Sequence, residues 1–350
     1  MFRKIPFVPA ELDVVDELPG MFGAPPTPLH NTPVTARENT DALFYDKHPF
    51  WMPTGQEIKM LGSSIYNDNF GRGRGHDNKD VFGIEWEYVP TVGGSIVRPG
   101  EPLLKDVREW KDKISFPDLD QFDWAEEAKK VKIDGRFSSQ LSLVNGFWFE
   151  RLISFMDFAP AAMALIDEEQ QDAVKELFQA TTDFACKLVD KICETWSMMD
   201  GFNIHDDWGA QKAPFFSEEV AYEYFVPFMR QLTGHIHKRG RFVTLHSCGH
   251  VDTRVQCFID GGFDAWDPQV MNDIHGLYER WGDKIILGVW PDQFDPEHTT
   301  AEEQRELARQ FVDMYCQEGK PAMFGHYGRW AMTEAFVEEV YIASRKRYGG

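Results

Sequence analysis

Between residues 168 and 196, apolar side chains recur at Val174, Leu177, Phe178, Phe184, Leu188, Val189 and Ile192, the spacing of one helix face. Short apolar runs flank this helix and predict strands over 141–146 and 201–205. Ser217-Glu218-Glu219 then opens a helix, because a serine caps the first turn and acids suit its positive end. The alternation continues with strands over 241–245, 263–266, 284–290 and 321–325, followed by helices over 252–260, 273–281, 300–317 and 332–348. Six strand–helix repeats therefore cover residues 140–350.

Upstream the pattern is less regular. Residues 1–35 are rich in proline and glycine and read as an extended arm, lying on the body or reaching a neighbouring subunit. A helical pattern runs over 35–46, and the apolar burst Pro49-Phe50-Trp51-Met52 predicts a first core strand. Residues 82–89 alternate apolar and polar, the period of a half-buried strand, and Gly93-Gly94 with Ser95-Ile96-Val97 suggest a hairpin return. Six strands plus two make eight, and strand–helix alternation implies a parallel sheet. The expectation is α/β: a single (β/α)8 TIM barrel over 36–350 with an irregular N-terminal extension over 1–35. An open doubly wound sheet is the alternative. No glycine-rich dinucleotide fingerprint follows a strand, since Gly71-Arg72-Gly73-Arg74-Gly75 comes after a polar segment.

Charge narrows the function classes. The 350 residues hold 57 acids against 36 bases, a formal charge of −21, which disfavours nucleic acid and anionic membranes as partners. No apolar run approaches the roughly 18 residues of a membrane span, and the N-terminus lacks the apolar core of a signal peptide. Five cysteines, an odd and sparse number, fit reduced thiols in a cytoplasmic protein.

In a barrel of this kind, chemistry gathers at the C-terminal ends of the strands. Those ends carry Asn145 with Phe149 to Arg151, then His205-Asp206-Asp207-Trp208, His246-Ser247-Cys248-Gly249-His250, Trp266-Asp267, Trp290-Pro291-Asp292 and Gly325-His326-Tyr327. His246 and Cys248 lie two apart at a strand end, so they project to one side as an imidazole–thiolate pair suited to Zn2+. A catalytic zinc wants a third ligand and an open position. His326 on the last strand is the favoured third, with Asp267 or Asp206 next and Cys316 last. Asp206 and Asp207 are adjacent, so one can face the site as the working acid, as a support for a metal ligand or as a substrate contact. Asn145, Phe149, Trp208, Trp290 and Tyr327 are the candidate substrate-lining residues.

The stretch Leu245-His246-Ser247-Cys248-Gly249-His250-Val251, preceded by Asp206-Asp207-Trp208-Gly209 and Gln211, resembles the uroporphyrinogen decarboxylase superfamily. Within it the resemblance is to the cobamide-dependent methyltransferases. It implies zinc on His246, Cys248 and the position of His326, a cobalamin carried by a separate corrinoid protein, and a possible homodimer. The coenzyme-M enzymes of that branch carry a cysteine where this chain has His326. That departure points instead to relatives that demethylate methoxylated aromatics. True uroporphyrinogen decarboxylases resemble it less, because their arginine-bearing signature near the first strand is replaced by Phe50-Trp51-Met52-Pro53-Thr54-Gly55. The implied activity is methyl transfer from an aryl methyl ether to a corrinoid. A decarboxylase of a porphyrinogen or smaller acid, and a non-enzymatic metal- or corrinoid-binding barrel, are the alternatives.

Overall fold

The structure, a computed structural model, describes residues 4–18, 27–62, 65, 78–90, 94–100, 102–143 and 146–349. In chain order the elements are β1 (Val14–Leu18), β2 (Thr27–His30), α1 (Ala36–Phe44), β3 (Ile58–Met60), β4 (Asn78–Lys79), β5 (Glu85–Val89) and β6 (Gly94–Val97). There follow α2 (Trp110–Lys113), α3 (Trp124–Lys130), β7 (Ser138–Leu143), α4 (Phe149–Met156), α5 (Phe158–Ala164), α6 (Gln171–Thr195) and β8 (Gly201–His205). The rest are α7 (Glu218–Tyr224), α8 (Val226–Lys238), β9 (Phe242–His246), α9 (Val255–Asp260), β10 (Ala265–Trp266), α10 (Ile274–Trp281), β11 (Ile286–Val289), α11 (Ala301–Tyr315), β12 (Ala322–Phe324) and α12 (Glu334–Gly349).

Helix starts follow local chemistry. Thr35 and Thr300 each accept from a backbone N–H three residues on, and Glu38 and Glu303 return the bond, closing capping boxes on α1 and α11. Ser217 caps α7 by accepting from the Val220 N–H. Cys316 is the buried C-terminal cap of α11 rather than a mid-helix residue, and burial pushes its thiol up to about 12.

The main sheet has seven strands in the order β12-β11-β10-β9-β8-β7-β3, with β7–β8, β8–β9, β9–β10 and β11–β12 parallel. The α/β class and the presence of six strands after residue 137 are as the sequence predicts, with β7 starting three residues before the predicted 141; a closed eight-stranded barrel is not formed by the described residues. The two upstream strands account for the difference. At residues 49–52 the ladder donors are taken by side chains: Phe50 and Trp51 N–H both donate to Asn39 Oδ1 (2.7 and 3.2 Å), and Met52 N–H donates to Ser344 Oγ (3.1 Å). Pro53 has no N–H to offer. One ladder-like bond remains there, from the Phe324 N–H to the Pro53 carbonyl (2.7 Å). The predicted strand over 82–89 exists, but it joins a separate antiparallel sheet, β4-β5-β6, with Trp86 opposite Val97 and Val89 opposite Gly94.

The chain divides into two compact units. The first comprises residues 1–58, 135–138 and 286–350. Phe311, Phe324 and Phe336 pack at its centre, with ring centroids 5.5–6.2 Å apart, and the arm residue Glu11 is buried against Arg345. The second comprises residues 59–134 and 139–285. From their second residues on, its strands β8 and β9 alternate buried and half-buried side chains. Phe202, Ile204, Val243 and Leu245 are fully buried on one face, each contributing about 1.5–3 kcal/mol. Asn203, His205, Thr244 and His246 occupy the other face. There Gln140 and Asn203 both donate to Thr244 Oγ1 at 2.8 Å, and Ser142 donates to Asn203 Oδ1 at 3.2 Å. This polar ladder leads along the strands to two histidines. No helix among the described residues is long and apolar enough to cross a membrane.

Candidate metal centre

His205 and His246 are register partners at the ends of β8 and β9. Strand pairing therefore fixes their separation, and their rings stack at 4.6 Å with an 11° tilt. Beyond them the chain turns. Asp207 Oδ1 sits 3.8 Å from His205 Nε2 and 3.8 Å from His246 Nε2. Ligand atoms of His205, Asp207 and His246 lie within 4.8 Å of one another, a grouping able to hold a metal ion. Ligands about 2.1 Å from a common tetrahedral centre are about 3.4 Å apart, so little movement is needed to close this set. Cys248 Sγ is 3.1 Å from His246 Nε2, and the Cys248 N–H donates to Asp207 Oδ1 at 2.7 Å.

The loop after β9 is clamped from below. Gln269 accepts from the Gly249 N–H at 2.7 Å and donates to Cys248 Sγ at 3.3 Å. Asn272 accepts from the Val251 N–H and donates to the Gly249 carbonyl, both at 3.0 Å. Gly249 has φ +95°, and a Cβ there would lie 2.2 Å from the Gly209 backbone, so no other residue fits the turn.

The adjacent aspartates part company. Asp206 is fully buried and turns to the start of α4. It accepts from the Glu150 N–H (3.0 Å), the Phe149 N–H (3.4 Å) and the Trp208 indole (2.8 Å). Burial, helped by the negative charge of Glu150, pushes its carboxyl up to about 7. Asp207 faces the histidines. Burial and Glu150 raise it too, while His205 pulls in the opposite direction.

Of the residues singled out from sequence, His246, Cys248 and Asp207 come together. Phe149 and Trp208 are completely buried. Phe149 packs on Phe215, Phe216 and Phe225, and Trp208 on Phe216, Phe225 and Phe258, in a helix-facing core. His326, Trp290 and Tyr327 belong to the first unit. His326 is exposed and opens a 3-10 turn just past β12, and the Trp290 and Tyr327 rings meet at 6.3 Å. Asn145 and residues 71–75 lie outside the described residues. The sequence places His205 and Glu150 at strand ends without marking either for a role, and nothing in it marks Gln269. Asn203-x-His205 repeats the polar alternation of Thr244-x-His246 one strand over, and that repeat is the signal for His205.

The donor set of two imidazoles, a carboxylate and a thiol is the kind that zinc accepts. The chain shares its fold with a methyltransferase from Methanosarcina mazei, at TM-score 0.53 and 13% identity over 85% of this chain and 82% of that one. An intracellular xylanase from Thermoanaerobacterium saccharolyticum JW/SL-YS485 aligns at TM-score 0.30 and 12% identity, over 65% of this chain and 89% of its own. That second likeness is too slight to argue from. No protein-family profile matches the sequence, and no curated protein does. At 13% identity the first likeness is one of fold.

Proposed function

We propose that the protein is a zinc-dependent methyltransferase that moves a methyl group from a small methoxylated aromatic to the Co(I) of a separate corrinoid protein. The observation that carries this reading is the convergence of His205, Asp207, His246 and Cys248 at the ends of two paired parallel strands. The fold shared with a methyltransferase supports it, as does the resemblance of the segment 245–251 to cobamide-dependent enzymes. His246 and Cys248 are the inner ligands of the proposal. Asp207 and His205 are the donors beside them. Zinc bound there would supply Lewis acidity at the ether oxygen as the aryl oxide leaves. The residues' own work is orientation. Gln269 and Asn272 hold the Cys248 turn, strand register holds the two imidazoles, and Asp207 ties the turn to the histidines by accepting from Cys248 N–H. In that transfer the methyl group would pass to the reduced corrinoid, whose electron pair would replace the C–O pair that leaves with the aryl oxygen.

Zinc is measured by mass spectrometry on protein purified without a chelating tag, with methylation of the corrinoid followed by its absorbance. Wild type should hold about one equivalent, and C248A and H246A should lose zinc and methyl transfer together. Less than about one-tenth of an equivalent, unrestored by added zinc, defeats the metal reading. Full zinc without methyl transfer from any methoxylated aromatic leaves a metal-binding protein of another activity.

A further inference from the structure

His205 Nδ1 bonds to the Glu150 carboxylate in the first turn of α4. Both side chains are largely shielded, at 15% and 12% exposed. An ionised carboxylate only accepts, so the proton of this bond belongs to Nδ1. The lone pair of the neutral ring is then on Nε2, the atom that faces Asp207 and shares the metal-ligand grouping. Free imidazole side chains favour the opposite tautomer. The ring has little freedom to reverse, because it is stacked on His246 and its backbone is held in register.

Glu150 is itself well held. Its N–H donates to Asp206 Oδ1, and Asp206 also binds the Trp208 indole. Next to it, Arg151 is buried against Asp80 at 2.8 Å and lies 4.5 Å over the Phe82 ring. Asp80 accepts as well from the Phe82 and Ile84 N–H groups and the Trp86 indole. Two consecutive residues of α4 are thus fixed by partners from different parts of the second unit, one at Asp206 and one at Asp80. The start of α4 is thus tied at two adjacent residues where a carboxylate meets an imidazole.

We propose that Glu150 is a positioning residue that fixes the Nε2-ligating tautomer of His205 and thereby raises the affinity of the centre for metal. The proposal rests on the metal reading above for its consequence, but its geometric half stands in the metal-free protein. The test therefore has two arms. In metal-free protein above neutral pH, nitrogen-15 NMR of the imidazoles should show His205 protonated on Nδ1 and bare on Nε2. Glu150→Ala should abolish that preference, and Glu150→Gln, whose amide oxygen still accepts, should restore part of it. In the second arm, competition with a chelator should show zinc held about 10–100-fold more weakly by Glu150→Ala, the usual effect of losing an outer carboxylate, with Glu150→Gln between it and wild type.

A wild-type His205 protonated on Nε2, in either charge state, overturns the proposal. So does an Ala variant whose tautomer and zinc affinity match wild type. Wild-type protein that binds no zinc while His205 still shows the Nδ1–H form removes the metal reading and the affinity claim, and keeps Glu150 as the group that sets the tautomer.

Discussion

At the scale of single residues, Asp206 and Asp207 show how one step along the chain changes a carboxylate's work. Asp206 turns inward and gathers three donors at the base of α4, whereas Asp207 faces two imidazoles. Asn at 206 presents an amide nitrogen to at least one of those donors, and a buried donor without a partner costs about 1–3 kcal/mol. D206N should therefore lower unfolding stability by that amount in urea titrations. D207N keeps an oxygen for the Cys248 N–H, so its stability should stay within about 0.5 kcal/mol of wild type. Its zinc affinity and turnover should instead fall at least about tenfold, in the range of a positioned acid–base or ligand group. A reversed pattern, with D207N unstable and D206N inactive but stable, would exchange the two roles. The sequence could say only that adjacent residues on a strand face opposite ways. Which aspartate faces the histidines depends on where α4 begins, and that is set by contacts some 56 residues apart. His246 and Cys248 were legible because a two-residue spacing at a strand end is a local geometric fact. Glu150 was not, since nothing local marks a helix glutamate as a partner for a distant imidazole.

At the scale of elements, the alternation after residue 137 was legible because each element carries its own signal. Strands there are short apolar or alternating runs, and α7, α10 and α11 begin at side-chain caps that the sequence displays. The strand expected at 49–52 fails for a nonlocal reason: the donors of residues 50–52 are captured by Asn39 and by Ser344, the latter 292 positions from Met52. The arm is tied in the same long-range manner. Glu11 accepts from Arg345 Nε and Nη2 and from the Tyr341 hydroxyl, and both members of the ion pair are buried. Burial pushes the Glu11 carboxyl up, but the bonds from Arg345 and Tyr341 outweigh it and leave it below its ordinary value. A lowered folded value means stability that is present above the unfolded pKa, about 4.3, and is lost as pH falls through the folded one. E11Q leaves a buried guanidinium without its counter-charge and should cost about 3–5 kcal/mol near neutrality. The gap between wild type and E11Q in urea unfolding should narrow as pH drops from about 5 to about 3. A gap that stays constant over that range would mean that Glu11 acts through packing rather than charge.

At the scale of the whole molecule, neither unit is a continuous stretch of chain. Residues 135–138 return to the first unit for a single short segment, and hydrophobic patterning cannot mark so brief a visit. Net charge, by contrast, is fully legible in the sequence and has consequences that no single contact reveals. With 57 acids against 36 bases the molecule repels itself, which favours expanded states. Many of the bases engage acids at the surface, among them Lys129 with Glu126, Lys111 with Glu176, and Arg309 with Glu306. Added salt screens both kinds of interaction, and the two respond in opposite directions. Exposed pairs are worth little each, with a median near about 0–1 kcal/mol, and their loss to screening is correspondingly small. The uncompensated charge acts over longer distances. It is felt at about 10 mM salt, where the screening length is about 30 Å, and mostly suppressed near about 150 mM, where that length is about 8 Å. Repulsion should therefore dominate the response. The melting temperature is expected to rise by at least about 2 °C between those two sodium chloride concentrations, a shift that corresponds to roughly 1.5 kcal/mol for a chain of this length. The measurement is a thermal unfolding series in sodium chloride at constant pH near 7, with a neutral osmolyte as control. A flat or falling melting temperature would show that the surface pairs, singly weak, act together as a network strong enough to outweigh the excess of 21 negative charges.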